Sequence, residues 1–215
     1  HLFSIMGLPA NLPAGEYTVG KGKVCVIRQD PKSYVMNAGG DRDYVSTVAK
    51  LYAEKTNGNE LQFKNNFYLE RGVYKLVAVL DESVSNEPYI LKGRFIDLFD
   101  PELPVLSEKI VNPGEQSFLL DLACVENTTK PQVLCGAARI YDEAITDTSY
   151  TFVAKSPIET TNVMRVLLPE VPESVDFIGP DGNKVLDAAF EWNEKTHTCL
   201  VKFENHPDGV NVTFK

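Results

Sequence analysis

Residues 162–214 constrain the chain more than any other stretch, because their apolar residues alternate and every break between them carries turn chemistry. Val163, Arg165 and Leu167, then Val175 and Phe177, alternate with their neighbours at the period of strands with one buried face. Gly179-Pro180-Asp181-Gly182-Asn183 supplies a proline with a pre-set φ and two glycines that accept positive φ. It predicts a hairpin between residues 175–178 and 184–186. Asn205-His206-Pro207-Asp208-Gly209 predicts a second hairpin between residues 199–203 and 210–214. The segment reads as a complete β-module in which no residue is arranged for chemistry.

The upstream chain follows the same grammar. Residues 2–15, with Pro9 and Pro13, read as an arm feeding a hairpin of residues 16–20 and 23–28 joined through Gly20-Lys21-Gly22. Asp30-Pro31 and Asn37-Ala38-Gly39-Gly40-Asp41 mark a loop region holding Tyr34 and Tyr44. Residues 44–54 fit a helix or a strand. Their β-branched content and the following Thr56-Asn57-Gly58-Asn59 favour a strand, with residues 60–63 returning antiparallel. Residues 67–69, 73–80 and 88–91 continue the series, with 73–80 the expected central strand. Between 93 and 122 prolines interrupt pairing, as in short strands that close a sandwich. Gly136, in an apolar run, predicts a close backbone approach or a bulge. The polar stretch 125–131 is the best boundary. The expectation is therefore all-β, two packed antiparallel β-sandwich units (jelly-roll or immunoglobulin-like) with little or no helix. Residues 1–124 form the N-terminal sandwich, 125–131 the linker and 132–215 the C-terminal module.

Composition narrows the function. With 43% hydrophobic residues among 215, the chain can bury a real core. A net charge of −9 repels phosphate backbones and anionic lipid, so no nucleic acid partner is expected, whereas a neutral glycan suffers no such penalty. No run approaches the ~20 apolar residues of a membrane helix. Cys25, Cys124, Cys135 and Cys199 form no C-x-x-C pair, which argues against zinc. Small buried thiols fit the strand-like surroundings of Cys25, Cys135 and Cys199, although Cys124 and Cys135 could flank a loop as a disulfide. The chain opens on His1, and residues 2–6 lack the basic flank of a signal peptide. A processed protein, or a piece of a longer one, is the expectation.

Candidate chemistry is sparse. Glycosidases need two carboxyls facing each other across a sugar. Among 30 acidic residues, pairs such as Asp97 and Asp100, or Asp142 and Glu143, can be chosen at will and so carry no signal. The histidines His1, His197 and His206 match no zinc spacing, and no G-x-S-x-G elbow is present. No cofactor is expected beyond a structural calcium held by loop carboxylates near residues 97–102 or 37–43. Aromatic residues give the positive case, because sugar C–H faces stack on rings while polar neighbours bind the hydroxyls. Tyr34, Tyr44, Tyr68 and Tyr89 lie beside polar loops that include Asp41 and Arg42. Trp192 shares a strand face with Phe190, where a core role competes with a sugar platform. The sequons at Asn127 and Asn211 are of the number chance provides.

The segments LCGAARIYDEAI, TFVAKSPIETTNVMRVLLPEVPESVDFIGPDGNKV and FEWNEKTHTCLVKFENHPDGVNVTF resemble the C-terminal β-sandwich of large secreted glycan-degrading proteins. These are typical of gut Bacteroidetes and include α-L-rhamnosidase-like and related helical-barrel glycosidases. The matching elements are residues 165–169, 181–185, Trp192 and 207–212. The upstream ILKGRFIDLFDPELPVLSEKIVNPGEQSFLLDL looks like a segment that accompanies this module. No segment aligns with the catalytic barrel of those enzymes. The resemblance implies a secreted, periplasmic or cell-surface accessory region that supports a catalytic domain of the same polypeptide, while the aromatic residues add the expectation of polysaccharide or oligosaccharide binding at Tyr34, Asp41, Arg42, Tyr44, Tyr68, Tyr89 and Trp192. The alternatives are a free-standing carbohydrate-binding or adhesin-like protein, and a small glycosidase with a carboxylate pair.

Overall fold

A computed structural model describes residues 2–126 and 128–215, so His1 and the sequon residue Asn127 lie outside the described residues. Strand accounts for 43% of the chain and helix for 14%, in four antiparallel sheets, so the all-β expectation holds. The chain divides into two compact units, residues 1–63 and 64–215. Among the described residues no helix is long and apolar enough to cross a membrane.

The first unit pairs β1 (Gly15–Val19) with β2 (Gly22–Val26) in the expected hairpin. Its other elements correct the sequence reading. Residues 2–5 form a short helix, α1 (Leu2–Ile5), and the Asp30-Pro31 stretch opens a second, α2 (Pro31–Met36), instead of a loop. The Asp30 carboxylate accepts the Ser33 N–H at 2.8 Å, with Pro31 in the first helical turn, where its missing donor costs nothing. Residues 44–54 lie in α3 (Gly40–Lys55), a helix and not the expected strand. Asp41 and Asp43 in its first turn and Lys55 in its last complement the helix dipole. The Asn57-Gly58 pair terminates this helix and does not turn a hairpin. Both residues have left-handed φ, and the Gly58 N–H bonds the Ala53 carbonyl at 2.9 Å. Residues 60–63 form no strand. Gly40 has no room for a side chain, because a Cβ there would collide with the Tyr34 carbonyl.

The second unit begins with a five-stranded sheet: β3 (Asn66–Arg71), β4 (Tyr74–Val79), β5 (Tyr89–Asp97), β6 (Val105–Val111) and β7 (Gln116–Asp121), in the order β3-β4-β7-β5-β6. The expected central strand, residues 73–80, is thus an interior strand, with β7 at the middle. A register shift in β5 between Lys92 and Phe95 bends the sheet, and β6 comes round against β4. The curled concave face buries Val77, Val79, Leu91, Phe95, Val111 and Leu119.

The remaining chain is a β-sandwich. One sheet runs β12 (Val175–Ile178), β15 (Val210–Phe214), β10 (Tyr150–Lys155), β9 (Arg139–Ile145). The other runs β13 (Ala189–Asn193), β14 (Thr198–Glu204), β11 (Thr161–Leu167), β8 (Gln132–Gly136). Phe152, Met164, Val166, Val201, Phe203 and Val212 fill the space between them. The turn at residues 205–209 was expected to join β14 and β15 as a hairpin, but the two strands lie in different sheets, so this turn carries the chain across the sandwich. The 179–183 turn closes only a single bridge, Ile178 with Lys184. Gly136 makes the close approach read from the sequence, since a Cβ there would lie 2.7 Å from Met164 Cγ.

β11 and β14 are buried on both faces because their outer face packs on the convex side of the five-stranded sheet. Ile96, Leu103, Leu120 and Leu122 meet Leu200 there, with Leu134, Cys135 and Val163 at the margin. Arg165 projects into this seam, and its Nε donates to the Leu103 carbonyl at 2.9 Å. Leu103 holds a left-handed φ of 45° in the loop that presents that oxygen. Lys202 adds an ion pair to Glu102 across the same seam.

Candidate functional site

The seven residues singled out for sugar binding are divided between the units, with Tyr34, Asp41, Arg42 and Tyr44 in the first and Tyr68, Tyr89 and Trp192 in the second. Half-buried Tyr34 lies on α2, while Asp41, Arg42 and Tyr44 are exposed in the first turns of α3. Trp192, on β13, is half-buried against the sandwich core and meets His197 edge-on at 5.8 Å between ring centroids.

Tyr68 and Tyr89 are brought together. They sit on β3 and β5, and the curl of the sheet stacks their rings with centroids 5.6 Å apart and planes 24° from parallel. The Tyr68 hydroxyl donates to Glu70. Lys75 then lies 2.7 Å from Glu70 and 3.6 Å from Asp121, which also accepts the Ala123 N–H and the Cys124 thiol. Lys75, with Tyr68 second, holds the Glu70 carboxyl below its ordinary range, while burial and Glu70 push the Tyr68 phenol upward. This row is internally paired, and each tyrosine ring offers one face to the other.

The candidate carboxylate pairs do not face each other across a cleft. Asp97 is buried, binds Lys109 at 2.6 Å and accepts the Phe99 N–H. Asp100 caps its own turn through the Glu102 N–H. Glu143 accepts the Tyr150 hydroxyl at 2.8 Å, while Asp142 sits on a left-handed residue of an exposed edge strand. Among the described residues no three His, Cys, Asp or Glu side chains converge as a metal site, including the two loops considered for calcium. The four cysteines are free thiols. A depression of about 1000 Å³ lies at one end of the sandwich between Thr146 and Glu173 and is lined by none of the seven residues.

The feature that sequence reasoning missed is the uncovered half of the convex sheet face. Cross-strand register places Phe67 beside Ala78, Leu69 beside Leu76 and Phe118, and Tyr74 beside Leu120, all on one face. Phe67 is 59% exposed and Phe99 58%, and Leu69 and Tyr74 are also exposed. The Phe118 ring lies 5.3 Å from Tyr74 and 6.0 Å from Phe99, tilted to both. Leu120 at the far end of this face is already buried under the sandwich, so the patch continues the existing seam. Its sequence signal was residues 67–79, where apolar side chains occupy both strand faces and so require cover on both. No family model, characterised protein or solved structure matches the chain.

Proposed function

We propose that the chain is a non-catalytic accessory region of a secreted or surface glycan-processing protein, and that it acts by docking a neighbouring catalytic domain on the convex face of its five-stranded sheet. The observation that carries this reading is the contiguous exposure of Phe67, Leu69, Tyr74 and Phe99 beside a seam that already holds one domain. The patch is on the order of 400 Å², the size of the largest apolar patch on a typical monomer, which is often functional. Its rings are tilted to one another, which suits interdigitating side chains better than the flat face of a sugar. The glycan context comes from the sequence resemblance, and the docking role from the surface.

The test is photo-crosslinking in the source organism, with a benzophenone amino acid at position 99. Docking predicts one dominant crosslink, within the polypeptide to a domain with glycoside hydrolase activity, that is lost when Phe67→Ser is added. In parallel, the purified chain is run through gels cast with a polysaccharide panel. Retardation by one glycan that Tyr44→Ala, Tyr68→Ala or Trp192→Ala abolishes, with no adduct at position 99, would replace docking by a free-standing carbohydrate-binding role.

A further inference from the structure

Among the described residues of the first unit only Val26 and Gly40 are buried, a core too small to stabilise 63 residues unaided. Its longest element leaves an apolar stripe uncovered. Tyr44, Val45, Val48 and Tyr52 fall within about 100° of one another around α3, the width of a core-facing stripe, yet all four are exposed. Another part of the helix surface is tied down, with Lys50 bound to Glu16 at 2.6 Å and Glu54 paired with Lys23.

We propose that the stripe binds the same stripe of a second copy, the two α3 helices packing antiparallel about a two-fold axis at Val48. Self-complementarity argues for this partner. Asp41 and Lys55 lie in line with the stripe, each seven residues from Val48, so antiparallel pairing sets the Asp41 of each copy beside the Lys55 of the other. Among the described residues neither has an ion-pair partner, and the Lys55 amine makes only a 3.3 Å bond to the Lys21 carbonyl. Tyr44 and Tyr52, each four residues from Val48, meet across the axis, and the antiparallel helix dipoles attract. The four side chains expose on the order of 300 Å² per copy, below the size of a permanent interface, so association is weak and reversible. This inference is independent of the docking role proposed for the convex sheet face.

Sedimentation equilibrium of the full chain tests it. The apparent mass should rise with concentration from 23.9 kDa toward twice that value, and Val48→Asp should hold it at the monomer. Because Val48→Asp could also perturb the helix, charge exchange is the decisive arm. Asp41→Lys alone and Lys55→Asp alone each oppose like charges twice across the axis and should weaken self-association roughly tenfold. Mixing those two variants places opposite charges at both contacts and should restore association as a heterodimer. A monomer at every concentration overturns the proposal, as does a dimer indifferent to Val48→Asp or a mixture no tighter than its components.

Discussion

Arg165 fastens the sandwich to the five-stranded sheet, and its removal can be costed. The side chain is buried, burial holds its guanidinium below the usual arginine range, and its Nε donates to the Leu103 carbonyl at 2.9 Å. Arg165→Met keeps an apolar stem of similar length and loses the bond from a charged donor, about 1.5–3 kcal/mol net. Arg165→Ala also strips two buried methylenes at ~0.8 kcal/mol each and leaves a gap beside Leu200, for a total of about 3–5 kcal/mol. With a urea m-value of about 2 kcal/mol/M, the Ala variant should lose roughly 2 M in midpoint and the Met variant about half that. Trp192, the only tryptophan, reports on the sandwich by fluorescence, while far-UV circular dichroism reports on all strands. The two probes should separate in the Ala variant as the seam opens before the sandwich melts. The opposing effect is the cost of burying the charge, which Met relieves. If the Met variant matches or exceeds the wild type, that cost outweighs the bond and Arg165 does not fasten the seam.

Two further outcomes follow from the titrating groups. Burial pushes the Cys199 thiol up to about 12 and Cys135 up to about 11, so iodoacetamide at pH 8 should spare both in the native protein. Exposed Cys124, raised by its bond to Asp121, should react slowly and accelerate in Asp121→Asn; mass spectrometry showing four thiols labelled at equal rates would contradict the burial of the first two. Lys215, through its hydrogen bond and then its charge, holds the Asp176 carboxyl below its ordinary value, with Lys184 adding less. A depressed carboxyl stabilises the fold above the unfolded value near about 3.9 and loses that contribution as pH falls through the lower folded value. Asp176→Asn should therefore melt below the wild type at pH 7, with the gap closing as the solution is taken below pH ~3; a gap constant with pH would assign the effect to packing.

The legible parts of the sequence were those set by local period. In β10 every second residue is buried, as alternation predicts, and the β1–β2 turn is where its glycines put it. Residues 44–54 misled because Tyr44, Val48 and Tyr52 satisfy a helical spacing while Val45, Thr47 and Val48 favour strands, and Asn57-Gly58 serves either as a hairpin turn or as a helix end. The 205–209 turn was recognised as a turn, but its local chemistry is the same whether the next strand pairs alongside or crosses to the facing sheet. Tyr68 and Tyr89 meet only because β7 and β4 intervene in a curled sheet, a relation no spacing along the chain encodes. The convex patch announced itself only as apolar residues on both faces of a strand.

β15, the final strand in the sequence, lies between β12 and β10 in the interior of its sheet. During synthesis both neighbours must wait with open backbone edges until residues 210–214 clear the ribosome tunnel, and β10 cannot bury Phe152 or Ala154 against a finished partner before then. The sandwich sheet therefore closes only once residues 210–214 are available, and a chain cut before residue 210 leaves the facing edges of β12 and β10 bare.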